Sequence, residues 1–174
     1  MTGVDIAVDG FNTLPAAEAK RRLLTCLSVP RWAAEVAGRR PYASYAALAA
    51  QAEASAAELT DDDLAAALRG HPRIGEQAGA GHTAEFSAAE QAHVEADDAD
   101  VMAALADGNR AYEQRFGRVF LIRAAGRNSS EILAELHRRL GNDDRTERAE
   151  TVSALKEITL LRLEDVAKFK EVAP

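Results

Sequence analysis

Apolar residues recur at helical spacing through most of the chain, and the punctuation between runs is glycine, proline and capping residues. Thr13 as N-cap with Pro15 in the first turn opens a helix that carries Leu23, Leu24 and Leu27 on one face and ends near Ser28. Pro30 starts a second helix through Trp32, stopped at Gly38. Arg39-Arg40-Pro41 reads as a linker, because proline disfavours helical geometry at the residue before it. Ser44 begins an alanine-rich helix to about Leu59. Thr60 and Asp63 form a weak capping box ahead of Leu64 and Leu68, and Gly70 with Pro72 ends that helix.

Ser87 to Glu90 is a full capping box and opens the next helix, after a glycine-rich stretch from Gly75 to Phe86 that reads as a loop over a pocket. A further helix runs from about Asp98 to Phe116, where Gly117 stops it. Gly108 weakens its middle by about 1 kcal/mol relative to alanine, so a packing reason is expected there. Val119 to Ile122 is the one run that reads as extended, and a lone run cannot build a sheet, so it is expected to be a buried connector or one strand pairing with nothing. Asn128 and Glu131 repeat the capping-box spacing before Ile132, Leu133, Leu136 and Leu140, and Gly141 follows. The last helix begins near Thr146 and carries Val152, Leu155, Ile158 and Leu161. Residues 1 to about 12 show no periodicity, and residues 1–10 in particular read as a loose arm. The pattern predicts an all-α protein, residues 1–174 as a single-domain helical bundle of about seven or eight helices.

Composition narrows the partners. Hydrophobic residues are 47% and aromatics 5% of 174 residues, which suits helices packed through small side chains. The formal net charge of -7 repels polyphosphate, so no nucleic-acid partner is expected. No apolar run is long enough for a bilayer, so no membrane association is expected. A single cysteine, Cys26, and no secretory hydrophobic segment point to a reducing cytoplasm.

Four histidines offer candidate chemistry: His71, His82, His93 and His137. His137 lies among Glu135, Arg138 and Arg139 and reads as a solvated face. Glu90 and His93 form Glu-x-x-His, half of a di-iron helical-bundle pattern that needs a second copy, so no metal is expected. His71 differs, because the helix stop and Pro72 fix its direction at the mouth of an irregular loop. Imidazole titrates near neutral pH, which suits a general acid. Ser87 and Glu90 are explained by capping alone, yet a helix N-terminus also receives an anion. The glycine stretch lacks a Gly-Lys-Ser/Thr ending and a preceding strand, which argues against a phosphate cradle. Cys26, within an amphipathic helix, reads as a small core residue. Arg123 and Arg127 border the extended run and read as surface charge or as recognition of a carboxylate or urea oxygen.

Several blocks occur together in one order. They are Phe11-Asn12-Thr13-Leu14-Pro15, Trp32, Arg40-Pro41-Tyr42, His71-Pro72-Arg73-Ile74-Gly75, Ser87-Ala88-Ala89-Glu90-Gln91, Asn109-Arg110-Ala111-Tyr112 with Arg115-Phe116-Gly117, Phe120-Leu121-Ile122, and Glu157-Ile158 to Leu163. In these blocks the chain resembles the 2-oxo-4-hydroxy-4-carboxy-5-ureidoimidazoline (OHCU) decarboxylase family, from about Phe11 to about Leu163. The resemblance implies an all-α homodimer with no metal or organic cofactor that converts OHCU to (S)-allantoin and carbon dioxide in urate degradation. By position it implies His71 as proton donor, with Glu90 beside the substrate, where its expected catalytic role is to hold His71 or the ring hydroxyl. It places Pro72, Ser87, Gln91 and the backbone of Phe120, Leu121, Ile122, Arg123 and Ala124 around the substrate. Many members carry a cysteine, then an arginine two positions later, in the extended block. Here Arg123 stands at the cysteine position and the next arginine is Arg127, which leaves open which of the two meets substrate. A non-catalytic helical module of the same fold, binding a ureide or a protein, is the alternative.

Overall fold

The computed structural model describes residues 8–75 and 99–168. Among them are eight helices and no strand: α1 (Asp9–Thr13), α2 (Ala16–Cys26), α3 (Pro30–Gly38), α4 (Tyr45–Ala57), α5 (Asp61–Arg69), α6 (Ala99–Phe116), α7 (Ser129–Leu140) and α8 (Asp144–Ala167). No helix among the described residues is long and apolar enough to cross a membrane. The described residues form two compact units, 8–63 with 156–168, and 64–75 with 99–155.

In the first unit α2, α3 and α4 pack in succession. Leu23, Cys26, Leu27, Trp32, Val36, Leu48, Ala52, Ile158 and Leu163 are buried there. Trp32 is fully buried and its indole N–H donates to the Ala52 carbonyl at 3.0 Å, which satisfies the polar edge of an otherwise apolar side chain. Ser44 caps α4 by accepting from the Ala47 N–H, and Thr60 and Asp63 cap α5 reciprocally.

Two expectations for this unit are corrected. The loose arm is structured from Val8 onward: Asp9 and Gly10 begin α1, and Phe11 is 1% exposed. A five-residue helix is too short to show a period, and tertiary contacts hold it instead. Arg40 donates to the carbonyls of Phe11 and Leu14 and lies over the Phe11 ring, while Asn12 and Tyr42 exchange two hydrogen bonds of 2.9 Å. Thr13 is not an N-cap. Its hydroxyl donates back to the carbonyls of Asp9 and Gly10, and Pro15 occupies the cap position of α2 in an extended conformation.

The core of the second unit comprises Ile74, Leu105, Tyr112, Phe120, Ile122, Ala124, Ile132 and Leu136. α6 and α7 pack against each other along it. The packing reason expected at Gly108 is plain here. A Cβ at that position would stand 2.6 Å from Leu136 Cδ2, so the two helices meet more closely than any side chain would allow. The capping box of α7 forms as expected between Asn128 and Glu131. α8 starts at Asp144, two residues before the expected Thr146, because the Asp143 carboxylate accepts from the Thr146 N–H.

Candidate functional site

α5 ends at Arg69, and the chain turns at Gly70 into His71-Pro72. The His71 N–H donates to the Leu68 carbonyl at 3.0 Å, so the helix stop sets the backbone from which the imidazole projects. His71 and Pro72 are half-buried. Two residues on, Ile74 is driven into the second unit's core, and its carbonyl accepts from Asn109 Nδ2 of α6 at 3.1 Å. Gly75 then takes a φ of +89°, which strains any residue with a Cβ, and the Met102 methyl 2.9 Å from where a Cβ would be would have to move aside. Arg73 forms a two-pronged ion pair with Glu113, whose carboxyl the guanidinium holds below its ordinary range. Arg73 is half exposed, so this pair contributes little to stability.

A pocket of about 250 Å³ opens between this loop and α6, lined by Ile74, Gly75, Met102, Ala106 and Asn109 with Arg73 and Arg110 at its edge. The Asn109 Oδ1 there is buried without a hydrogen-bond partner.

Beyond α6, Gly117 turns the chain with φ +66° into the extended run. The expected buried connector is observed. Phe120, Leu121, Ile122 and Ala124 are buried and no strand forms. Arg123 projects to the surface, as does Arg127, whose N–H closes a turn onto the Ala124 carbonyl. Among the described residues, the N–H groups of Phe120 to Ala124 donate to no backbone or side-chain acceptor. Backbone donors beside buried side chains are usually paired, so those of Phe120, Leu121, Ile122 and Ala124, with no acceptor among the described residues, offer a surface that can receive a ligand oxygen.

The structure brings the loop that follows His71-Pro72 and the extended connector onto one core. Ile74, following His71-Pro72, shares a cluster with Phe120, Ile122 and Ala124. The side chains of Phe120, Leu121, Ile122 and Ala124 are committed to packing, which leaves their backbone as the part that can face a ligand. Ser87, Glu90 and Gln91 lie outside the described residues, as do His82 and His93. His137 is exposed on α7, as its charged neighbourhood implied.

Sequence reading passed over Arg139 and Arg162. Arg139 is 3% exposed and donates to the Leu121 carbonyl at 2.6 Å. Next to Arg138 in the last turn of α7 it looked like a solvated, dipole-compensating cation. Arg162, in the first unit, is 1% exposed and donates to the Cys26 carbonyl at 3.4 Å. Its place among Leu160, Leu161 and Leu163 was the available signal, since a cation inside an apolar run costs desolvation unless it is held.

By fold, the chain aligns with solved structures. One is a crystal structure of OHCU decarboxylase in the presence of (S)-allantoin, with a TM-score of 0.72 and 22% identity over 86% of this chain and 99% of that one. Another is a crystal structure of (S)-allantoin synthase, with a TM-score of 0.68 and 17% identity over 92% of this chain and 54% of that one. At those identities the likeness concerns the fold. A sequence model of the OHCU decarboxylase family matches residues 12–164, and the chain belongs to that family. A 2-oxo-4-hydroxy-4-carboxy-5-ureidoimidazoline decarboxylase of Amia calva is 43% identical over 58 residues, a stretch that spans 33% of this chain and 33% of that relative.

Proposed function

We propose that this protein decarboxylates OHCU to (S)-allantoin and carbon dioxide in urate degradation, without a metal or organic cofactor. The observation that carries the reading is the row of N–H groups from Phe120 to Ala124 that have no acceptor among the described residues, on the same core as Ile74 of the His71 loop. Family membership over residues 12–164 supplies the substrate class.

Loss of carbon dioxide leaves an electron pair on a ring carbon, and the adjacent C=N bond absorbs it. The substrate is its own electron sink, so the protein needs to orient the carboxylate, stabilise the developing charge and deliver one proton to one face of the ring. His71 is the proton donor in this reading, held by the α5 stop and Pro72. Positioned proton transfer contributes about 10²- to 10⁴-fold in rate. Glu90 holds His71 or the ring hydroxyl. Pro72 bounds the site, and Ser87, Gln91 and the N–H groups of residues 120–124 bind the ureido and ring oxygens. Arg123 and Arg127, both at the surface, would steer the anionic substrate, which a planar guanidinium suits. A homodimer in the cytoplasm accompanies the reading.

The test supplies OHCU from urate with urate oxidase and hydroxyisourate hydrolase and follows (S)-allantoin by circular dichroism. Wild-type protein should accelerate its appearance and give one enantiomer. His71→Asn should fold with an unchanged melting temperature and lose about 10²-fold or more in kcat. Full turnover by His71→Asn would remove the proton-donor role. Absence of turnover by the wild type, with OHCU binding retained, would favour the non-catalytic ureide-binding module.

A further inference from the structure

A polar cluster that the proposed reaction does not use lies beneath the extended connector. Arg139 directs Nη1 to the Leu121 carbonyl at 2.6 Å, Nε to Glu147 Oε1 at 2.9 Å and Nη2 to the same carboxylate and to Thr151 Oγ1. The Tyr112 hydroxyl donates to Glu147 as well, and Asn142 Nδ2 donates to its other oxygen at 2.8 Å. Glu147, Thr151 and Tyr112 are 0% exposed. Burial, and then the bond to the Glu147 carboxylate, hold the Tyr112 proton on above its usual range, so it remains a donor. The Arg139 guanidinium also lies over the Phe120 ring at 4.8 Å, and Tyr112 packs edge-on against the same ring at 5.2 Å.

A buried ion pair is a poor device for stability, because well-packed apolar residues of similar volume often do as well. What it does supply is direction. Among the described residues the connector has no strand neighbour and its N–H groups have no acceptor. One cation engages both the side chain of Phe120 and the carbonyl of Leu121; Glu147 and Thr151 bond that cation, and Tyr112 and Asn142 in turn hold the Glu147 carboxylate. The planar fork of arginine is suited to this, since it reaches three acceptors in set directions.

We infer that Arg139, locked by Glu147 and Tyr112, is a positioning residue that aims the backbone N–H groups of residues 120–124 at the substrate. The inference rests on the proposed decarboxylation, in which those groups hold substrate oxygens. Arg139 touches no reacting atom, so its removal acts on binding geometry and leaves proton delivery by His71 in place.

The double variant Arg139→Met with Glu147→Leu replaces the pair by apolar groups and should fold with a cooperative melt. Its KM for OHCU should rise about tenfold or more, with kcat changed less than about threefold and the product still (S)-allantoin. Tyr112→Phe deletes one hydroxyl, keeps the ring and secures the test if the double variant does not fold. Its KM should rise about threefold at a melting temperature within a few degrees of wild type. Wild-type kcat/KM in a folded double variant, or an unchanged KM in Tyr112→Phe, overturns the role of Arg139. Wild-type turnover is the separate control: if the wild type itself does not turn OHCU over, the functional reading fails, and the loss cannot be assigned to Arg139.

Discussion

Asn109 of α6 donates through Nδ2 to the carbonyl of Ile74 at 3.1 Å, and so ties the loop that follows His71 to the helix beside it. Both residues are buried, at 3% and 7% exposure. Asn109→Leu keeps the volume but leaves a buried carbonyl without its donor. The expected cost is about 1–3 kcal/mol, read as a lower denaturation midpoint at an unchanged slope. An unaltered midpoint would mean that the loop is held without this bond.

Gly108 and Leu136 set how near α6 and α7 approach. Gly108→Ala gains about 1 kcal/mol of helix propensity but forces a Cβ to within 2.6 Å of a side chain that is 0% exposed. Overpacking at such a contact typically costs about 1–3 kcal/mol, so the sum should be neutral to destabilising. Adding Leu136→Ala should then cost less in the Gly108→Ala background than in wild type. Strict additivity in a double-mutant cycle would contradict the contact.

Trp32 is the one tryptophan of the chain and is fully buried. Its emission should be blue-shifted when folded and move red on unfolding, which makes it a reporter for every measurement proposed here. Trp32→Phe preserves most of the apolar area but removes the indole N–H bond to the Ala52 carbonyl at 3.0 Å, a carbonyl that keeps its place in the α4 ladder. A loss of about 0.5–1.5 kcal/mol from the hydrogen bond is expected by circular dichroism melts.

Alkaline pH should unfold the protein earlier than its carboxylates would suggest. Burial pushes the Cys26 thiol up to about 12, and the Tyr42 and Tyr45 hydroxyls also to about 12. The unfolded chain releases these protons near about pH 9 and about pH 10, so between those values and about 12 the unfolded state binds fewer protons than the folded one. Their contribution is complete below about pH 9 and is lost as pH rises toward 12. Urea midpoints should fall across that interval, and Cys26→Ala should flatten the fall. Alkylation of Cys26 at pH 8 should be slow in native protein and rapid in denaturant. Rapid alkylation of the folded protein would contradict its burial.

The helices were legible where caps and periods agree. Asn128 with Glu131, Thr60 with Asp63, and Pro30 at the start of α3 each act over three or four residues, so the signal and the structure coincide. The connector was legible because an apolar run between two glycines has no polar face to show solvent. Where the reading failed, the deciding partner lay far away in the chain. α1 depends on Arg40 and Tyr42, about thirty residues on, and Thr13 looked like a cap only because its own turn was not visible.

Sequence alone determined that the chain is all-α, where most helices begin and stop, and that His71 would emerge from a helix end next to a proline. Those properties depend on local propensity and on neighbours within one or two turns. Tertiary structure decided that Arg139 is inside while Arg138 beside it is outside, that Gly108 is a helix contact, and that the backbone donors of residues 120–124 have no acceptor among the described residues. Adjacent charged residues have the same propensity and the same hydropathy. Only the register of α7 against the connector, with Glu147 waiting beneath it, makes one of two arginines a buried clamp.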